Sequence, residues 1–193
     1  MAKHRLPGLT LISLVAYAAT SALAQTPESP LRVGDRFVYQ VGPVTDTQEI
    51  IEIRDREIVV RSSGFGDITQ SRSIIGGWSW SGGSLGQKQS EAVDPSAQSL
   101  VPLEVGKTVN TFGQMTFIRN QPDYFRKKCT VVSKGPATVP AGTFDVYLIA
   151  CELVYLGGRI LNRTYYYAPE LDYYASFSLT AKFDLIEYKK AVP

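Results

Sequence analysis

From Arg36 to Lys189 apolar and polar residues alternate with period two, and Gly, Pro, Asn, Asp or Ser interrupts each run after about ten residues or fewer. Successive side chains of a strand point to opposite faces of a sheet, so this pattern suits strands and fits no amphipathic helix. The chain is expected to be all-β, with at most one or two short helices. Residues 36–41, 48–54, 57–63 and 67–75 read as a meander. A short strand bracketed by glycines follows at 76–83 and carries Trp78 and Trp80. The alternation lapses from 84 to 100. There Asp94 and Pro95 offer an N-cap followed by proline at the first helical position, so one short helix is expected. Strands resume at 107 and continue through 115–119, 124–133, 144–156, 159–168, 173–179 and 182–189.

The N-terminus has a different grammar. Lys3, His4 and Arg5 precede an apolar stretch from Leu9 to Leu23, which ends on Ala22-Leu23-Ala24 before Gln25. A basic start, an apolar run shorter than the roughly 20 residues a bilayer requires, and an A-x-A site describe a secretory signal peptide. Residues 1–24 are therefore expected to be removed, leaving one β-rich domain over 25–193, periplasmic or secreted, with no stable membrane insertion. No cysteine follows the cleavage site, so no lipid anchor is expected.

Processing also changes the charge. It removes Lys3 and Arg5 from the 20 basic residues, which leaves 18 against 18 acidic ones. A near-neutral surface gives no reason to expect a nucleic-acid partner. The basic clusters Arg126-Lys127-Lys128 and Lys189-Lys190 read as solvated faces.

Leu31-Arg32-Val33-Gly34 and Leu103-Glu104-Val105-Gly106 share L-x-V-G, followed in each copy by a charged residue and, two further on, an apolar one. In each, the glycine can supply a turn that releases the chain into its next strand. The echo suggests two related halves, about 31–83 and 103–190.

The two cysteines, Cys129 and Cys151, are exported together and are expected to pair. If strands 124–133 and 144–156 form an antiparallel hairpin in which Cys129 faces Cys151, the numbers of every facing pair sum to 280, which centres the turn on Pro140. Val139-Pro140-Ala141-Gly142 is what such a turn needs, because proline cannot donate to a ladder and glycine accepts positive φ. On the second strand Phe144, Val146, Leu148 and Ala150 share one face, and Asp145, Tyr147, Ile149 and Cys151 the other. Both faces carry apolar groups, so this strand is expected to be covered on each side.

Val139-Pro140-Ala141-Gly142-Thr143-Phe144, followed after a strand by Thr164-Tyr165-Tyr166-Tyr167-Ala168-Pro169-Glu170-Leu171, resembles a motif pair in exported bacterial proteins of unknown function that are related in fold to the lipoprotein carriers LolA and LolB. The pattern departs from that family at Asp172, where glycine is usual, at Tyr166, where tryptophan is common, and at Val109, where an aromatic is expected. The resemblance implies a strongly curved antiparallel sheet, a half-open barrel, whose concave side can hold an apolar ligand. It brings no catalytic residues.

The only histidine, His4, lies in the leader. The mature chain therefore has no Ser-His-Asp triad, no Cys-His pair and no histidine metal ligand, and pairing of the cysteines removes thiol chemistry. No cofactor and no metal are expected. Glu49, Glu52, Asp55 and Glu57 sit among Arg54, Arg56 and Arg61, which reads as exposed cross-strand ion pairs. Asp67, Glu91, Asp94 and Asp123 could supply a carboxylate pair for a saccharide-active enzyme, but no spacing favours any two of them.

The aromatics are the remaining handle. Trp78 and Trp80 fall on one face about 7 Å apart, and Tyr165 and Tyr167 repeat the pattern. These rings either fill the sheet's core or leave a groove; on the second reading Trp78 and Trp80 border a groove floored by Phe144, Val146 and Leu148. The function expected is non-catalytic binding of a lipid, another apolar molecule or an envelope partner. A structural envelope role without a ligand is the alternative, and the saccharide-active enzyme comes third.

Overall fold

In a computed structural model, residues 31–54, 57–71, 80–82, 89–93, 100–116 and 121–192 are described. They form twelve strands and no helix: β1 Arg36–Val41, β2 Val44–Ile53, β3 Glu57–Ser62, β4 Gly66–Ser71, β5 Trp80–Gly82, β6 Gln89–Val93, β7 Thr108–Thr116, β8 Pro122–Val139, β9 Gly142–Tyr155, β10 Ile160–Ala168, β11 Tyr173–Ser178 and β12 Lys182–Lys189. The helix expected near Asp94 lies outside the described residues. The all-β class is as the alternation requires, and the sheet is antiparallel and curved as expected. Each strand pairs with its sequence neighbours, and β1 pairs with both β2 and β12, so hydrogen bonding runs round the full circle. The ladders are shortest on the two sides of β5 and between β11 and β12, with three residue pairs each.

Register carries one face continuously round the sheet. Tyr39 faces Leu185, Phe183 faces Phe177, Phe177 faces Tyr165, Tyr165 faces Ile149, and Ile149 faces Val131. Two residues along β8, Cys129 faces Val109, and on the far side Val60 faces Ile50 while Gln48 faces Phe37. All of these side chains are buried. Facing residues of an antiparallel pair point the same way, so this is the inner wall. Its rings interlock: Phe177 stacks on Phe183 at 4.4 Å and Phe37 on Tyr173 at 4.6 Å, while Tyr39 meets Phe177 edge-on at 5.2 Å.

The hairpin centred near Pro140 forms as the sequence spelled it, with one refinement. Cys129 faces Cys151 and the two are bonded, their Cα atoms 4.1 Å apart. From Phe125 to Val131 the facing numbers sum to 280, but beyond a bulge between Val131 and Ser133 they sum to 281 and the ladder ends at Val139 facing Gly142. One extra residue on β8 has shifted the register and bent the strand.

That bend matters because the hairpin outruns its neighbours. β7 begins where Thr108 faces Thr130, and β10 leaves β9 at Tyr147. Residues 132–146 therefore project as a two-stranded arm. The arm lies against β11 and β12, and at its tip the Ala141 N–H donates to the Leu185 carbonyl at 3.0 Å. Val139, Phe144 and Val146 are buried by this docking, and β11 is buried from Tyr173 through Phe177 without alternation. β11 is covered on both faces.

The loops follow the same local rules. Asp172 ends the β10–β11 turn at φ 49°, the one positive-φ non-glycine among the described residues. Aspartate tolerates that region better than most side chains, and its carboxylate accepts a 2.6 Å hydrogen bond from the Tyr167 hydroxyl.

Candidate functional site

Of the five residues expected to build a groove, Trp78 lies outside the described residues, and Trp80 is placed only by its backbone, which pairs with Gln70 and Glu91. Phe144, Val146 and Leu148 sit on the opposite parity of β9 from Ile149, and three strands separate β9 from β5. The residues of the expected floor are not open either. Phe144 and Val146 belong to the arm and are buried where it docks, and Leu148 is half-buried. Phe144 and Val146 fall within the overhang, on the face of β9 opposite the inner-wall residues Ile149 and Cys151.

The inner wall itself is not wholly apolar. On β8, Phe125, Lys127, Cys129 and Val131 are buried while Arg126 and Lys128 are exposed, so the basic triplet is not a solvated face. Lys127 is 3% exposed and faces Leu153; Arg163, 8% exposed, faces Cys151 from β10. Two cations thus flank β9 beside the disulfide. Alternation carried the signal: once Cys129 turns inward, Lys127 two residues earlier must do the same.

Across the barrel a second polar group crosses the interior. The Asp46 carboxylate accepts from the Ser62 hydroxyl at 2.6 Å, the Gln48 amide at 2.8 Å and the Gly64 N–H at 3.1 Å. Tyr173 then donates to Gln48 at 3.0 Å and accepts from Gln70 at 2.9 Å. Buried polar atoms require such partners, and this chain of bonds ties β2, β3 and β4 to β11. It was not foreseen, because Asp46, Gln48 and Gln70 look like ordinary surface residues until Phe37 fixes which face is inside.

The tyrosines of the core are held neutral. Burial, and then the neighbouring Tyr173, Tyr174 and Asp46 groups, pushes Tyr39 well above the usual phenol range. Burial does the same to Tyr167, Tyr173 and Tyr174, reinforced by the Asp172 carboxylate at Tyr167. A phenol so disfavoured as an anion is suited to packing and hydrogen bonding, not to giving up a proton near neutral pH.

The carboxylates singled out from the sequence are surface groups where they are described. Arg54 pairs with Glu52 at 2.8 Å, Arg61 with Asp67 at 3.0 Å and Arg159 with Asp123 at 3.0 Å, all substantially exposed. Among the described residues no three His, Cys, Asp or Glu side chains gather as a metal site would require. No protein-family model, curated protein or solved structure shows significant similarity to this chain.

Proposed function

We propose that the protein is exported, that residues 1–24 serve as its signal peptide, and that it acts as a non-catalytic binding protein for an apolar ligand such as a lipid acyl chain. The observation that supports this most is β11, a strand buried on both faces because a separately anchored arm closes over it. Enclosing an apolar layer beneath a docked flap is a way for a soluble sheet to offer an apolar site without exposing it. A Cys129–Cys151 bridge suits an oxidising compartment, and the likeness of the VPAGTF and YYYAPEL segments to lipoprotein-carrier-like proteins points the same way. Native mass spectrometry of protein purified from its own envelope tests the reading: a co-purifying lipid is expected, and an apo mass at every mild ionisation setting counts against it.

A second reading, an envelope scaffold that binds a protein partner and no small molecule, is favoured by one patch. Phe112, Arg126, Val154 and Ile160 form a row of facing residues across β7 to β10, with Tyr124 and Leu156 beside it; Phe112 is 65% exposed and Leu156 81%. Cross-linking in the envelope, with and without Phe112→Ser and Leu156→Ser, checks it. Capture of a partner that both substitutions abolish is the outcome expected on this reading.

A further inference from the structure

The ladder between β11 and β12 stops early. Ser176, Phe177 and Ser178 face Asp184, Phe183 and Lys182; beyond Asp184, β12 pairs with β1 alone, while Tyr173 and Tyr174 pair only with β10. The two strands part and leave a cleft in the wall. The arm tip lies there, with Ala141 bonded to Leu185 and the Phe144 ring 5.9 Å from that of Tyr188. Val139, Phe144 and Val146 are buried in it, and Ala137 and Ala141 are packed against the core.

The arm's attachment is slight for what it covers. Among the described residues one backbone hydrogen bond joins its tip to β12, and no salt bridge does. At its root lies the bulge between Val131 and Ser133, where the ladder is locally interrupted and Val132 is about half exposed. Apolar burial is non-directional, so an alkyl chain of similar girth can replace Val139 and Phe144 in the cleft, provided the arm swings about its root. The groups that must leave are few, and they leave together.

We infer that the cleft between β11 and β12 is the apolar binding site, and that the β8–β9 arm is its resident occupant, which an acyl chain displaces. This rests on the binding reading above and names its location and competitor. The residues singled out from the sequence as a ligand floor, Phe144 and Val146, then act as an internal substitute for the ligand.

Native-state hydrogen exchange, read at the amides of Ala141 and Val131, tests this with 11-(dansylamino)undecanoic acid as the probe. Both amides are bonded, Ala141 to Leu185 and Val131 to Lys107, but on opposite sides of the bulge. In the free protein Ala141 should exchange faster than Val131 by about a hundredfold or more, because the arm opens without global unfolding. Saturating probe should speed Ala141 further and leave Val131 unchanged. Phe144→Ala should bind the probe several-fold more tightly, since the competitor is weakened; Val139→Ala is the milder variant should Phe144→Ala fail to fold. Equal exchange of the two amides in the free protein, or probe binding that leaves Ala141 unaffected and is not tightened by the substitution, overturns the location while the binding reading survives. No binding of the probe up to its solubility limit overturns the binding reading and this inference together.

Discussion

The two L-x-V-G turns form the same set of bonds and use them to different ends. In the first, Asp35 N–H donates to Arg32 O, Gly34 N–H to Ile50 O, and Ile50 N–H to Asp35 O. In the second, Lys107 N–H donates to Glu104 O, Gly106 N–H to Val131 O, and Val131 N–H to Lys107 O. The glycines have φ of 91° and 89°, and a bulge follows each bonded strand residue, after Ile50 and after Val131. The charged residue after the glycine is where they part. Asp35 is fully buried and accepts from Arg32 N–H, Ala191 N–H and the Lys190 ammonium, which also reaches Leu171 O. Lys107 reaches only the exposed Pro102 carbonyl. One backbone device thus launches both β1 and β7, but only the first copy fastens the end of the chain. The second half has the disulfide instead.

Removing the fastening should have the largest effect. Asp35→Ala leaves two partly buried N–H groups and a partly buried ammonium without their acceptor, and a loss of about 3–5 kcal/mol in urea unfolding is expected. Next comes the bridge: Cys129→Ser with Cys151→Ser should lower stability by about 3 kcal/mol, from the chain entropy of a loop of this length. A double substitution that costs nothing would mean the second half needs no covalent fastening, and the contrast would fail. The glycines sharpen it further. Gly34→Ala and Gly106→Ala each place a side chain at positive φ, worth about 1–3 kcal/mol. Gly34→Ala should be the worse, because its Cβ would meet that of Ala191 at 3.3 Å whereas Gly106 has open space. Lys107→Met should change stability by less than about 0.5 kcal/mol, as for other surface positions.

Alkaline pH probes the same asymmetry through the tyrosines. Tyr167, Tyr173 and Tyr174 come from the second half and Tyr39 from the first, and all four have raised phenol values. A raised folded value means the unfolded chain gives up its proton first. The stabilising contribution is therefore complete below pH of about 10, the ordinary phenol value, and is lost progressively as pH rises from there toward the folded values. Tyrosinate absorbance should appear together with unfolding, and Tyr173→Phe should make the alkaline transition shallower. Tyrosinate absorbance preceding any loss of fold would contradict the burial of these rings.

Much of the fold could be read from the sequence because alternation and turn chemistry agreed. β1 and β12 fall at the predicted residues, and Pro140 marked the hairpin through the cysteine register alone. What could not be read was where the alternation changes phase. A single extra residue at the β8 bulge puts Val139, which shares the parity of Cys129, opposite Gly142 and so on the same face as Phe144, and no residue type announces that bulge. Likewise Lys127 was masked by its basic neighbours, although the inward cysteine two positions on already fixed its face. The candidate site was legible as a set of apolar residues and illegible as a place, because the arm's docking on β12 joins segments that no local pattern connects.

The arm also has an outer margin. From residue 132 to 138, β8 pairs with β9 and with no other described strand. Such a margin is a template on which another chain could grow as a strand. Pro136 supplies no donor there, the flanking glycine weakens extended pairing, and Lys134 leaves its ammonium over the Tyr147 ring, 5.1 Å from the centroid. Replacing Lys134 and Pro136 with Val and Thr would give this margin a continuous set of donors and acceptors with no charge. Such a variant should form oligomers or fibres by light scattering at concentrations where the parent stays dispersed. The two residues guard against self-assembly where the arm projects beyond the circle of strands.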